Sequence, residues 1–291
     1  MKNILTKEKV IELVAKNKLR YQNNTPFPNI HFNDFFNPEF LQEVLREFPD
    51  LNKSKEGIKF NDVNQKKNAS KGESLLGEKT KELVHFLNSE PFLNILSDLT
   101  GIEDLLPDPT LSGGGYHEIL PGGFLKVHAD FNIHPKYKLE RRVNLLIYLN
   151  EDWKKEYGGE FELWDLSMTK CITKIEPLFN TVAIFSTTST SYHGHPNPLK
   201  CPENRSRKSI ALYYYTNGRP EDEKLKYFEN HSTIFKARKD DNKSLTESYL
   251  NHKIKSEKKN YFLIKSIAFI KLLLPPIFLS AINKIRTLFN I

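Results

Sequence analysis

The chain is 38% hydrophobic and 27% charged, which argues against disorder, and its 291 residues suit one large catalytic domain with appendages or two modest domains. Its two cysteines, Cys171 and Cys201, leave no room for a disulfide framework or a cysteine-built zinc site, and a reducing cytoplasm fits. The formal charge of +7 is uneven, because residues 224–291 carry 14 Lys/Arg against 5 Asp/Glu and residues 1–223 carry 29 against 31. A near-neutral body with a basic, greasy tail points to a membrane surface rather than to nucleic acid, and no nucleic-acid partner is expected.

In chain order, residues 1–18 alternate charged and apolar residues without the continuous apolar run of a signal peptide, and read as an amphipathic helix. Pro26–Phe32 reads as a strand. Asn37 is placed to cap a helix that begins at Pro38 and runs to Phe48. Residues 61–74 are polar and predict a mobile surface loop. A helical stretch over 75–100 is broken near Ser89-Glu90-Pro91. Strands and turns then take over: Arg142–Asn150 predicts a buried central strand, and Glu160–Trp164 alternates with period two. Asn180–Phe185 and Ser209–Thr216 are two further strands. Short strands at this spacing predict an antiparallel sandwich or barrel of jelly-roll type. Residues 218–260 read as a charged extension or linker.

The chemistry sits in three places. In a strand, residues two apart point to one side, so His128 and Asp130 project together. A neighbouring strand can bring His193 to them. Two imidazoles and one carboxylate suit Fe(II) and leave coordination positions open. An isolated His-x-Asp is common by chance, so its context decides. Here His193 follows a strand, and Arg207 opens another one 14 residues later with Ser209 on the same side. A guanidinium fork with a hydroxyl beside it is a carboxylate site.

These segments resemble the iron(II)/2-oxoglutarate-dependent oxygenases, on the prolyl 4-hydroxylase-like branch. The resemblance is carried by Gly122–Asp130, Leu145–Trp153, Gly158–Phe161, His193–Pro196 and Arg207–Tyr215. It implies a mainly β fold, a double-stranded β-helix core with N-terminal helices and a C-terminal helical tail. It also implies Fe(II) on His128, Asp130 and His193, and the distal carboxylate of 2-oxoglutarate on Arg207, with Ser209 and Tyr148 assisting. The implied reaction consumes O2, releases succinate and CO2, and hydroxylates a carbon centre, with ascorbate as a candidate reductant. The substrate expectation stays wide: a protein side chain such as proline, a small molecule, or a glycan.

Some roles stay open at this point. His195 competes with His193 as the distal ligand, and the His-Gly-x-Pro pattern favours His193. Arg205 competes with Arg207. His117 and His134 are structural or substrate-facing, and Trp153, Trp164 and Tyr213–Tyr215 read as packing. A non-catalytic jelly-roll binding protein is the competing class, and a cupin-type metal protein would lack the Arg207/Ser209 pair. The expected layout is support over 1–109, oxygenase core over 110–217, the extension over 218–260 and a tail over 261–291. In that tail Lys265, Lys271 and Pro275-Pro276 interrupt the apolar run, which disfavours spanning. From 277 on, a polar face with Ser280, Lys284 and Thr287 opposes Ile277, Phe278 and Leu288. That pattern fits either a helix lying on the inner face of a membrane or one packed on protein.

Overall fold

The structure is a computed structural model that describes residues 4–5, 7–220, 223, 230–239 and 241, with side chains in the first helix described in part. The reading of residues 261–291 as a membrane-binding tail lies outside the described residues. Among the described residues four α-helices, one short 3-10 helix (Lys155–Tyr157) and thirteen strands follow in order. The N-terminal part holds α1 (Lys7–Asn23), β1 (Asn29–Phe32), α2 (Pro38–Arg46), β2 (Ile58–Asn61), β3 (Gln65–Ala69), α3 (Glu78–Leu87), α4 (Glu90–Thr100) and β4 (Leu106–Pro107). The core holds β5 (Gly115–Ile119), β6 (Phe124–Ala129), β7 (Glu140–Tyr148), β8 (Phe161–Trp164), β9 (Cys171–Ile175), β10 (Val182–Ser186), β11 (His193–His195) and β12 (Arg207–Thr216). Last comes β13 (Ile234–Phe235).

Local chemistry sets the helices. Asn37 Oδ1 accepts the Glu39 and Phe40 backbone N–H groups at 2.9 and 3.3 Å, and Pro38 opens α2 with a φ already suited to a helix. The expected break falls between α3 and α4, where Pro91 lies in the first turn of the new helix. Gly101, at φ +74°, ends α4 in a left-handed conformation that glycine adopts without strain.

The strands run β1-β10-β7-β12-β5-β3-β6-β11-β8-β9, all paired antiparallel. The eight core strands thus form two four-stranded layers, β10-β7-β12-β5 and β6-β11-β8-β9, with β3 joining them along one side. This is the expected double-stranded β-helix. Period-two alternation sorts its side chains. Val143, Leu145, Ile147, Val182, Ile184, Ile210, Leu212 and Tyr214 face outward into one core with α2, α3 and α4, through Leu41, Val44, Leu83, Val84, Phe92 and Leu96. Leu146, Tyr148, Ala183 and Phe185 face inward against Phe161, Leu163 and Ile175. The helices bury the outer face, and the inner face is left to line a pocket.

Residues 61–74 depart from the sequence reading. Their middle forms β3, paired with β2, β5 and β6, with Asn68, Ala69 and Ser70 buried, while bends and turns flank it. Gln65-Lys-Lys-Asn68 lacks the β-branched and aromatic residues that mark a strand. Its place comes from ladder hydrogen bonds on both sides, an instance of tertiary context overriding propensity. Within the segment read as an extension, β13 adds to the free side of β6, with Ile234 opposite Ala129 and Phe235 opposite His128.

Candidate metal centre and co-substrate pocket

β6 and β11 pair so that His193 lies directly opposite His128, and Asp130 follows the end of β6. The ligating atoms of His128, Asp130 and His193 all lie within 4.8 Å of one another. Each imidazole is oriented from behind: Nδ1 of His128 meets the Lys126 carbonyl, and Nδ1 of His193 meets the Ser191 carbonyl, both at 2.8 Å. A carbonyl only accepts, so Nδ1 carries the proton and the Nε2 lone pair faces the cluster. Gly194 makes this pairing possible. A Cβ there would stand 2.8 Å from the Leu125 carbonyl oxygen and 2.9 Å from that of Lys126.

Asp130 is fixed from the other side. Arg141 Nη2 donates to its Oδ2 at 2.9 Å and Asn144 Nδ2 at 2.7 Å, while Arg141 Nε donates to Asn144 Oδ1 at 2.9 Å. Its Oδ1 lies 3.4 Å from His128 Nε2, and its Oδ2 lies 3.4 Å from His193 Nε2. Burial opposes ionisation of Asp130, but Arg141 and the imidazoles outweigh it and hold the carboxyl well below its ordinary range. Burial and the neighbouring His193 lower His128, which keeps its imidazole neutral. Arg141 and Asn144 were not legible in the sequence, because residues three apart on a strand ordinarily face opposite ways. A register shift against β12 at Tyr214/Tyr215 skips Arg142, so that both side chains meet Asp130. The Arg141 guanidinium also stacks 3.4 Å above the Tyr213 ring centroid.

One pocket between the layers holds the metal cluster together with Arg207, Ser209, Tyr148 and His195. Arg207, 4% exposed, donates from Nε to the Gly159 carbonyl at 2.8 Å, and its Nη2 makes a long 3.4 Å bond to the Tyr148 hydroxyl. Gly159 is at φ +80°, and a Cβ there would come within 3.0 Å of Arg207 Cδ, so this glycine lets the arginine lie against the backbone. Arg207 forms no carboxylate ion pair among the described residues. Arg205 instead donates to the Glu151 carbonyl and is not part of this pocket.

The other open roles divide in the same way. His195 lines the pocket, and its buried Nδ1 has no hydrogen-bond partner among the described residues. His117 lines it too, donating to the Gly113 carbonyl at 3.1 Å. His134 is buried elsewhere, 3.3 Å from Asp108. Trp153 and Trp164 bond to the Gly158 carbonyl and to Glu162 and stay outside the pocket, whereas Tyr213 lines it. Sequence reasoning missed Lys67, which β3 brings into the pocket wall, and Phe235, whose ring stands 5.5 Å from that of His128.

Fold and site together are a double-stranded β-helix with a His-Asp-His cluster suited to a divalent metal. Residues 114–215 match the model of the 2OG-Fe(II) oxygenase superfamily. A curated relative, prolyl 3-hydroxylase OGFOD1 from Xenopus laevis, is 27% identical over 199 residues, covering 66% of this chain. The chain spans only 35% of that relative's length. A Pseudomonas putida prolyl-4-hydroxylase superposes with a TM-score of 0.51 at 14% identity, covering 70% of this chain and 99% of its own. A Trichoplax adhaerens prolyl hydroxylase, solved in complex with a hypoxia inducible factor oxygen degradation domain peptide fragment, gives 0.53 at 18% identity, covering 72% and 91%. The architecture is prolyl hydroxylase-like.

The residues present fit both groups. Three neutral or anionic donors converge with their lone pairs unclaimed by backbone, as a divalent metal requires. A buried guanidinium without an acid suits the far carboxylate of a dicarboxylate. No described helix is long and apolar enough to cross a membrane.

Proposed function

We propose that the chain hydroxylates a carbon centre, with His128, Asp130 and His193 holding Fe(II) and Arg207 holding the distal carboxylate of 2-oxoglutarate. The observation that carries this reading is the sharing of one pocket by three convergent ligand atoms and a buried arginine that lacks an acid. The catalytic core would run over 110–217.

When bound, iron and 2-oxoglutarate would supply the oxidising chemistry, consuming O2 and releasing succinate and CO2. The protein's residues supply position. Arg141 and Asn144 engage Oδ2 of Asp130 and set the plane of the carboxylate. The Lys126 and Ser191 carbonyls hold the two rings. Arg207, backed by Gly159 and Tyr148, fixes the far end of the co-substrate, and Ser209 adds a hydroxyl to the same wall. Leu146, Phe161 and Phe185 keep the interior apolar and limit water beside the metal.

The prolyl hydroxylase relatives favour a peptidyl proline as the first substrate class to test. The experiment is succinate release with Fe(II), 2-oxoglutarate and proline-containing peptides, with hydroxyproline read by mass spectrometry. Peptide-dependent succinate that His128→Ala abolishes supports the reading. Absence of both peptide-dependent and uncoupled turnover in metal-loaded protein favours a non-catalytic binding module.

A further inference from the structure

Two loops reach the metal cluster at one end of the β6/β11 pair. Residues 130–132 carry Asp130 beyond β6, and residues 187–192 lead into His193. His231, which lies outside the family-matched residues 114–215, bonds to both loops. Its backbone N–H donates to Asn132 Oδ1 at 2.9 Å, and its carbonyl accepts the Asn132 N–H at 3.4 Å. The Asn132 carbonyl in turn accepts the Arg141 N–H at 2.8 Å, and the Arg141 guanidinium holds Asp130. The His231 ring takes the second loop. Its Nδ1 lies 2.8 Å from the Ser232 carbonyl, which only accepts, so Nδ1 carries the proton. Nε2 therefore accepts the Ser189 hydroxyl at 2.8 Å. Burial lowers the imidazole below its ordinary value, which keeps the ring neutral and this acceptor available. Ser189 is buried in the turn Thr188–Ser191, where Ser191 Oγ accepts the Thr188 N–H at 2.8 Å and donates to the Thr188 carbonyl at 3.0 Å. The far end of that turn is Ser191, whose carbonyl orients His193. A chain of hydrogen bonds thus runs from Asp130 through Arg141, Asn132 and His231 to the turn that aims His193.

We propose that His231 is a positioning residue for the metal centre, holding the Asp130 and His193 sides at the spacing that one divalent metal needs. The catalytic unit of this chain then includes a residue beyond 217. This rests on the metal-binding reading above and deepens it. Ligands that outer contacts hold in place before the metal arrives lose less freedom when it binds, so these contacts act on metal affinity.

The test compares wild type, His231→Leu, His231→Gln, Ser189→Ala and Ser189→Thr as full chains. Mn(II) affinity is read from the electron paramagnetic resonance signal of the free ion. Thermal unfolding in chelator reads the stability of the metal-free protein separately. Gln offers an acceptor oxygen close to the place of Nε2, and Thr keeps the hydroxyl. Outer-contact losses at metal sites weaken affinity by roughly tenfold or more. A loss above about threefold in both His231→Leu and Ser189→Ala, recovered by His231→Gln or Ser189→Thr, supports the proposal. A smaller loss in either removal variant, even one that melts lower, overturns it, because the bond then serves the fold alone. A loss that neither conservative variant recovers overturns it as well. If the His231 variants do not fold, the Ser189 pair decides by the same criterion. In each of these cases the metal-binding reading stands on wild type. Wild type that fails to bind Mn(II) ends that reading, and the proposal with it.

Discussion

The imidazole rings of His128 and His193 stand 4.5 Å apart, centroid to centroid, because the two residues are direct cross-strand partners on β6 and β11. Their separation is therefore set by the distance between the two backbones, and Gly194 controls that distance. Gly194→Ala would place a methyl group against two backbone oxygens that cannot rotate away. Overpacking of this kind costs about 1–3 kcal/mol. The variant is expected to melt lower than wild type and to bind Fe(II) or Mn(II) at least about tenfold more weakly. Thermal unfolding and metal titration check both effects; wild-type metal affinity would show that β11 is not held by this contact.

Asp130 carries two loads, the metal and Arg141. Removing it leaves a guanidinium that is 1% exposed without its acid, and breaking such a buried pair costs about 3–5 kcal/mol. Asp130→Ala should therefore destabilise the metal-free protein more than His128→Ala, although both lose the metal. Adding Arg141→Met to Asp130→Ala should return much of the stability and none of the metal binding. Urea unfolding of the three variants in chelator reads the first effect, and metal titration the second.

Much of this site was legible because its chemistry is written at period two. Arg207 and Ser209 sit on β12, whose alternation is plain from Ile210 and Leu212, and His128 and Asp130 keep the same spacing at the end of β6. Asn37 and Pro38 likewise announce α2. What escaped depends on contacts that no local pattern encodes. Lys67 lies in a polar strand that owes its place to neighbours more than 40 residues away. Arg141 and Asn144 converge only because a register irregularity lets them. Phe235 reaches His128 from over 100 residues downstream by adding an edge strand. Sequence order says little about such meetings, since each is decided when strand edges pair.

Arg207 and Arg205 are separated by one residue and by the whole wall of the pocket. Arg207→Ala should weaken 2-oxoglutarate binding by roughly a hundredfold, because truncating one partner of a buried charge pair costs several kcal/mol. Arg205→Ala, which loses an exposed contact to the Glu151 carbonyl, should change it by less than about twofold. Calorimetric titration of Mn(II)-loaded variants with 2-oxoglutarate separates them, and equal losses would move the carboxylate site away from Arg207.

The segment that presses Phe235 onto His128 is tied down by Asp241, whose carboxylate meets Lys126 at 2.5 Å and Arg238 at 3.1 Å. Burial works against ionisation of Asp241, but Arg238 and Lys126 outweigh it and bring the carboxyl down to about 2. A folded-state value below the unfolded one means that the stabilisation is present above pH of about 4 and is lost as pH falls through about 2. Protonation should release β13 from β6 before it disturbs the central strands. The Lys236 amide, which donates to the Val127 carbonyl at 2.8 Å, reports this directly. Its exchange protection, corrected for intrinsic rates, should fall between about pH 4 and 2 in wild type. In Asp241→Asn, protection should start lower at neutral pH and lose this acid dependence. A wild-type profile as flat as that of Asp241→Asn would mean that other contacts hold the strand against the metal site.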